Sequence, residues 1–367
     1  MEPDANNSKN TTARQVCLAL AGVALLSAIA LASFAISLGP PEGDLTRIGG
    51  LSERRFGWQR TGAQYAQDHF RKLPLDQLLA EGPDGSIVVF GDSFTDSAKS
   101  GTSWLNALYE QTGARIDFVE YSTLTDVVEL ISSPSFQANP ANVIILQMGE
   151  RTIFRRAQPL IGAGDCALPP PPKPFEAKAA EVELLPWTLR TRFDSFDELM
   201  SWGALALRRR VFDTGKTVVV DLDRDDLFSS SRPDKLLIYQ SDIIRHTPEA
   251  LFPFSPDEAG QGVICALRQV INLGAGRTEV YVLVAPDKRS VFEPWTTSEL
   301  PPKAIRFLDL LPGTLNGRYI DSFQAIRQDI DSGVKDVYFP NDTHWNDETA
   351  RNIGRIVSKF ISNPASF

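Results

Sequence analysis

Two stretches of this 367-residue chain have residue types suited to nucleophilic chemistry: Gly91-Asp92-Ser93-Phe94 and Asp342-Thr343-His344-Trp345. A serine hydroxyl attacks poorly until an imidazole takes its proton, and the imidazole works best when a carboxylate fixes its tautomer and stabilises the imidazolium. Ser93, His344 and Asp342 supply the three groups. Histidine is scarce, with His69, His246 and His344 the only three. His69 and His246 have no comparable setting and read as structural or exposed. The competing reading makes Ser93 a turn residue, Asp342 a helix cap and His344 a loop filler, since Ser and Asp are common in turns and caps. A strand-end serine with an Asp-x-His partner favours the triad.

A triad this far apart in sequence needs a scaffold that folds its ends together. Ser86-Ile87-Val88-Val89-Phe90 reads as a strand ending at Gly91, which puts Ser93 at the carboxyl edge of a sheet, where open α/β folds hold their ligands. Helices are expected at Thr102 to Gln111, closed by Gly113, and at Thr125 to Ile131; strands are expected at Ile116 to Tyr121 and Asn142 to Gln147. Ser255-Pro256-Asp257-Glu258 has the pattern of a helix start, with Ser at the cap, Pro first and Glu third, and that helix runs to about Asn272. Glu279 to Ala285 reads as a core strand. Glu348 to Ile361 reads as a last helix, with Ile353, Ile356, Val357 and Phe360 on one face. The alternation predicts an α/β fold, a parallel sheet sandwiched by helices.

Between the halves, Cys166-Ala167-Leu168-Pro169-Pro170-Pro171-Pro172-Lys173-Pro174 is stiffened toward polyproline II and opens an insertion. Inside it Phe196 to Arg210 reads as a helix and Thr217 to Asp221 and Lys235 to Gln240 as strands, a cap-like segment beside the site. Gly62 to Leu79 reads as a helix ahead of the domain. The expected divisions are a cytoplasmic N-terminus (1–15), a transmembrane anchor (16–38), a stalk with a peripheral helix (39–84), the first half of the α/β domain (85–165), the insertion (166–254) and the second half (255–367).

Val16 to Leu38 carries no charge, and roughly 20 apolar residues span a bilayer as a helix. Lys9 and Arg14 precede the run, which places the N-terminus in the cytoplasm and the rest outside it. A cleaved signal peptide ending near Ala30-Leu31-Ala32 is the rival reading, disfavoured because the apolar run exceeds the usual length. Cys166 and Cys265 would then meet an oxidising compartment, where they either pair or stay as two buried thiols. A net charge of −9 repels phosphate backbones, so nucleic acid is not an expected partner. Three Cys and three His leave too few soft ligands for a zinc centre, and neither metal nor cofactor is expected.

The Gly-Asp-Ser motif near the start of the domain and the Asp and His near its end resemble the SGNH hydrolase superfamily, which implies a flavodoxin-like sheet. Asp342-Thr343-His344-Trp345 is similar, more narrowly, to the Asp-x-His-Trp signature of the alginate O-acetyltransferase family, and Pro286-Asp287-Lys288 and Glu150-Arg151-Thr152 resemble its strand-end patterns. The likeness covers roughly Ser86 to Arg156 and Gly276 to Ser362. In that family the Asp-His motif comes before the Ser motif; here the order is swapped, which a triad tolerates. The Gly and Asn oxyanion donors of SGNH enzymes are replaced by Tyr121-Ser122-Thr123 and Met148-Gly149-Glu150-Arg151. The Ser93 N–H, an N–H near Ser122 and Arg151 are the substitutes considered, with an ion pair to Glu150 or Asp287 the other role for Arg151. Lys288 reads as structural, and Trp345 either stacks on a sugar or packs under its loop. The resemblance implies an O-acetyltransferase acting on an exopolysaccharide through an acyl-Ser93, at the periplasmic face of a bacterial inner membrane. It also implies a membrane-bound O-acyltransferase partner as acetyl donor. A carbohydrate esterase with the same triad and a catalytically idle glycan-binding subunit are the alternatives.

Overall fold

Alternation along the strands builds two core layers. The computed structural model describes residues 5–37, 64–65, 67–96, 103–163, 166–176, 178–180, 184–185, 217–230, 232–340 and 342–364. Its strands are β1 Gln64–Tyr65, β2 Arg71–Lys72, β3 Ile87–Gly91, β4 Ile116–Glu120, β5 Val143–Gly149, β6 Leu184–Leu185, β7 Thr217–Asp221, β8 Lys235–Tyr239, β9 Glu279–Ala285 and β10 Tyr319–Ile320. The longer helices are α1 Ala5–Ser37, α2 Leu75–Glu81, α3 Trp104–Thr112, α4 Leu124–Ser132, α5 Pro256–Gly274, α6 Ser322–Asp331 and α7 Asp347–Ser362. Val88, Phe90, Ile144, Leu146, Val280 and Val282 face α4 and α5. Their neighbours Ile87, Val89, Val143, Ile145, Tyr281 and Leu283 face α3, α6 and α7. A sheet buried on both faces needs unbroken apolar strands, which β3, β5 and β9 have.

The sheet has six strands in the order β10-β9-β5-β3-β4-β2, every pair parallel. Counted from β3, its five inner and following strands run 2-1-3-4-5, so the chain departs in opposite directions on either side of the β3/β5 boundary. Ligands bind at the carboxyl ends of strands at such a switch point. Helix boundaries follow local chemistry. Ser103 caps α3 by accepting from the Leu105 N–H, and Gly113, at φ 61°, ends it in the left-handed conformation. Ser255 and Glu258 form the expected capping box of α5. Helices α3 and α7 approach so closely that a Cβ on Gly354 would collide with the Trp104 carbonyl.

The expected helix over Gly62 to Leu79 is not formed. Pro74 has no N–H and holds the chain extended at φ −72°, ψ 156°, so α2 starts only after it. Before it, β2 pairs with β4 as the sheet edge, where the Arg71 Nε donates to Asp117 at 2.8 Å. The six-stranded sheet thus includes residues from Arg71 onward. His69 stacks on Tyr109, ring centroids 4.9 Å apart.

Cys166 and Cys265 form a disulfide. The proline-rich segment after Cys166 is a strap against the domain: the Asn316 amide donates to the Pro169 carbonyl at 2.6 Å and the Phe175 N–H to the Ile361 carbonyl at 2.6 Å. In the insertion the two expected strands, β7 and β8, pair antiparallel; the expected helix at Phe196 to Arg210 lies outside the described residues. Helix α1 covers the expected anchor to Ser37, with side chains described over 14–30 alone. Among the described residues no helix is long and apolar enough to cross a membrane.

Candidate active site

The Asp342–His344 loop folds back on itself between α6 and α7. The Asn346 N–H donates to the Val337 carbonyl at 3.1 Å and the Phe339 N–H to the His344 carbonyl at 3.2 Å, making a tight reversal. Lys288, buried, holds the turn from inside: its ammonium donates to the carbonyls of Phe339 and Pro340, both at 2.8 Å, and of Asp342 at 3.3 Å. Asp342 accepts from the His344 N–H at 2.9 Å and from its ring Nδ1 at 2.5 Å. The other ring nitrogen, Nε2, lies 2.8 Å from the Ser93 hydroxyl, across 251 positions of sequence. With Nδ1–H committed to the carboxylate, Nε2 is the acceptor, and the Ser93 O–H donates to it.

Ser93 stands in a turn at the end of β3. The Asp92 N–H and the Thr95 hydroxyl both donate to Gln147 Oε1 at the end of β5, at 2.9 and 2.8 Å. Asp92 Oδ1 accepts from the Phe94 N–H at 3.0 Å and Oδ2 from the Gly149 N–H at 2.9 Å. Asp92 thus ties β3 to β5 at the switch point, while Phe94 packs against the His344 ring at 4.7 Å and Trp345 at 4.9 Å. Gln147 has no motif to announce it, and its role comes only from strand pairing.

Ser122, Trp345 and Arg151 are the other candidate site residues. The Ser122 N–H donates to Asp126 Oδ2 at 2.8 Å as part of the α4 capping box, so it is not a free oxyanion donor. Trp345 is fully buried, with its ring among the core residues, so it packs and offers no face to a sugar. Arg151 donates to Asp242 and Asp287, both at 3.2 Å, and reaches the Thr343 hydroxyl at 3.5 Å. Of its two roles the ion pair is the one formed, and it links the insertion, β9 and the triad loop. The Gly149 N–H is likewise spent on Asp92.

A second polar cluster lies behind this one, and the reading of His246 as structural or exposed misses its position there. The His246 Nε2–H donates to Asp287 Oδ2 at 2.7 Å in a buried pair. Glu150 accepts from the Asp287 N–H at 3.0 Å, from Lys303 at 2.6 Å and from the Ser290 hydroxyl. Burial works to raise the Asp287 pKa, but the His246 hydrogen bond and the Arg151 charge outweigh it and hold the carboxyl below its usual range. Glu150, His246 and Asp287 bring their ligand atoms within 4.8 Å of one another, close enough to hold a metal ion. As they stand, their oxygens serve Lys303, Arg151 and His246, so a cation would first have to displace those donors.

An α/β fold with a buried His-, Asp- and Glu-centred polar cluster at the carboxyl edge of its sheet has the general architecture of a hydrolase or transferase active site. Comparison with family profiles, curated proteins and solved structures finds no significant match.

Proposed function

We propose that the chain is an O-acyltransferase that works through an acyl-Ser93 intermediate. The observation that carries this is the Ser93–His344–Asp342 hydrogen-bond chain at the switch point of the sheet. His344 takes the Ser93 proton as the hydroxyl attacks an acetyl ester. The tetrahedral intermediate collapses, and His344 returns the proton to the leaving oxygen. An acceptor hydroxyl then attacks the acyl-serine with His344 as base, and Ser93 is regenerated. Among the described residues the Ser93 N–H has no acceptor, which suits it to receive the oxyanion.

The likeness of the motifs to the alginate O-acetyltransferases supports a polysaccharide acceptor. Two features support an anchored, extracytoplasmic enzyme: α1 exposes Val16, Leu18, Leu20, Val23, Leu25, Leu26 and Ile29, an apolar surface that needs a covering, and the Cys166–Cys265 disulfide suits an oxidising compartment. Acetyl-CoA is not at hand there, so a membrane-bound O-acyltransferase is the proposed donor.

Mass spectrometry after incubation with 4-nitrophenyl acetate tests the reading. The full chain should gain one acetyl group on Ser93, Ser93→Ala and His344→Ala should gain none, and an oligosaccharide should discharge the acyl-enzyme faster than water does. No acetyl-Ser93 in the folded protein would remove the acyl-transfer reading; discharge to water as fast as to sugar would replace it with an esterase.

A further inference from the structure

Arg156 sits on the short helix Ile153–Ala157 after β5, and 4% of it is exposed. Its guanidinium lies 4.0 Å from the centroid of the Tyr121 ring, and its Nη2 only reaches Asp92 Oδ2 at 3.5 Å. Among the described residues Arg156 Nε and Nη1 and the Tyr121 hydroxyl make no hydrogen bond of good geometry, and the interaction they do share is between the Arg156 guanidinium and the Tyr121 side chain themselves. Interiors rarely leave a buried cation with empty donors unless a ligand or water completes it. Asp92 does not complete it, because the same carboxylate already serves the Phe94 and Gly149 amides.

Charges of both signs surround the pair: the Asp92 and Asp126 carboxylates act on Tyr121, and further arginines lie nearby. Arg155, next to Arg156 in the chain, and Arg245 are exposed, and burial together with the charges of Arg245 and Arg156 pushes the Arg155 guanidinium below its ordinary range. Burial pushes the Tyr121 phenol up to about 12, so its hydroxyl is a neutral donor at physiological pH. The place is specific. Asp92 precedes Ser93, and Tyr121 follows β4 in the core layer of Phe90 and Leu124, whereas Phe94 and Trp345, packed around His344, belong to the opposite layer. The empty donors therefore lie on the side of the sheet edge away from the base.

We propose that Arg156 and the Tyr121 hydroxyl form an anion subsite behind the Ser93 turn, next to Arg155, that binds an anionic oxygen of the ligand. That oxygen belongs either to a carboxylate the ligand carries or to the oxyanion that develops at its acyl carbon; the place of the subsite in a reaction rests on the acyl-transfer reading above, but its affinity for an anion does not.

Inorganic phosphate titrated calorimetrically into the full chain in detergent measures that affinity directly. Wild type and Ser93→Ala should bind it alike and saturably, with affinity lower by about tenfold in Arg156→Met and about threefold in Tyr121→Phe, which removes one oxygen and keeps the shape. Melting curves report whether each variant folds; if Arg156→Met does not, Arg156→Lys and Tyr121→Phe decide. No saturable binding by wild type, or unchanged affinity in the folded variants, overturns the subsite. Turnover of 4-nitrophenyl acetate and of mono-4-nitrophenyl succinate separates the sources. A raised KM in the Arg156 variant on the succinate alone assigns a carboxylate, a lowered kcat on both assigns the oxyanion, and no change on either overturns a role at Ser93. Phosphate binding without wild-type turnover would count against the triad and not against the subsite.

Discussion

Lys288 is a buried ammonium that donates to three carbonyls of the loop that carries Asp342 and His344. Replacing it with Met keeps the chain length and removes the donors, so the loop loses its internal clamp. Lys288→Met should lower kcat on 4-nitrophenyl acetate by about 10²-fold with KM little changed, the size expected when a catalytic group is misplaced by about 1 Å; steady-state kinetics beside a melting curve checks it. Asp287 carries a second expectation. Its removal would leave His246 without its carboxylate and Arg151 with Asp242 as its carboxylate, so Asp287→Asn should cost about 3–5 kcal/mol in urea denaturation. Because its folded pKa is depressed, the ionised form adds stability above the unfolded value of about 4, and that addition is lost as pH falls through the folded value. The gap between wild type and Asp287→Asn should therefore narrow below about pH 4. Ser93, Asp342 and His344 were legible because a strand-end serine and an Asp-x-His pair are local patterns. The Glu150–Asp287 contact spans 137 positions and the His246–Asp287 contact 41, and neither has a local pattern to reveal it.

At the scale of elements, the strands and helices of the sheet were readable where apolar runs and caps agree: β9 occupies the expected Glu279–Ala285 and α5 starts on its capping box. The error at Gly62 to Leu79 had its signal in Pro74, which bars the residue before it from helix. The edge strand β2 was invisible for another reason: two residues carry no periodicity, and their pairing depends on Asp117 in β4, far along the chain. Packing between helices was not legible either. Gly354 in α7 lies against Trp104, Ala107 and Leu108 of α3, with no room for a methyl group. Gly354→Ala should gain helix propensity yet lose about 1–3 kcal/mol through overpacking; a lowered melting temperature checks the sign.

For the whole molecule, alkaline titration reports on the integrity of the core. Four of the seven tyrosines are shifted upward by burial: Tyr121 and Tyr281 to about 12, Tyr319 and Tyr338 further. Their unfolded values lie near 10, so above that pH the unfolded chain releases protons the folded chain keeps, and stability falls as pH rises. Absorbance of phenolate should rise in two stages, a gradual one from the other tyrosines and a steep one coincident with loss of circular dichroism. Four buried tyrosines ionising gradually in the folded state would contradict this packing.

The Cys166–Cys265 bond, 99 positions apart in sequence, closes everything between into a covalent ring. Ser93 lies before the ring and His344 after it, so a protease that cuts between 166 and 265 separates the peptide carrying the nucleophile from the one carrying its base without releasing either. The nicked protein should run as one band without reductant and as two with it. Acylation of Ser93 should survive the cut for as long as the sulfur link does, so a broken backbone and a lost active site become separate events.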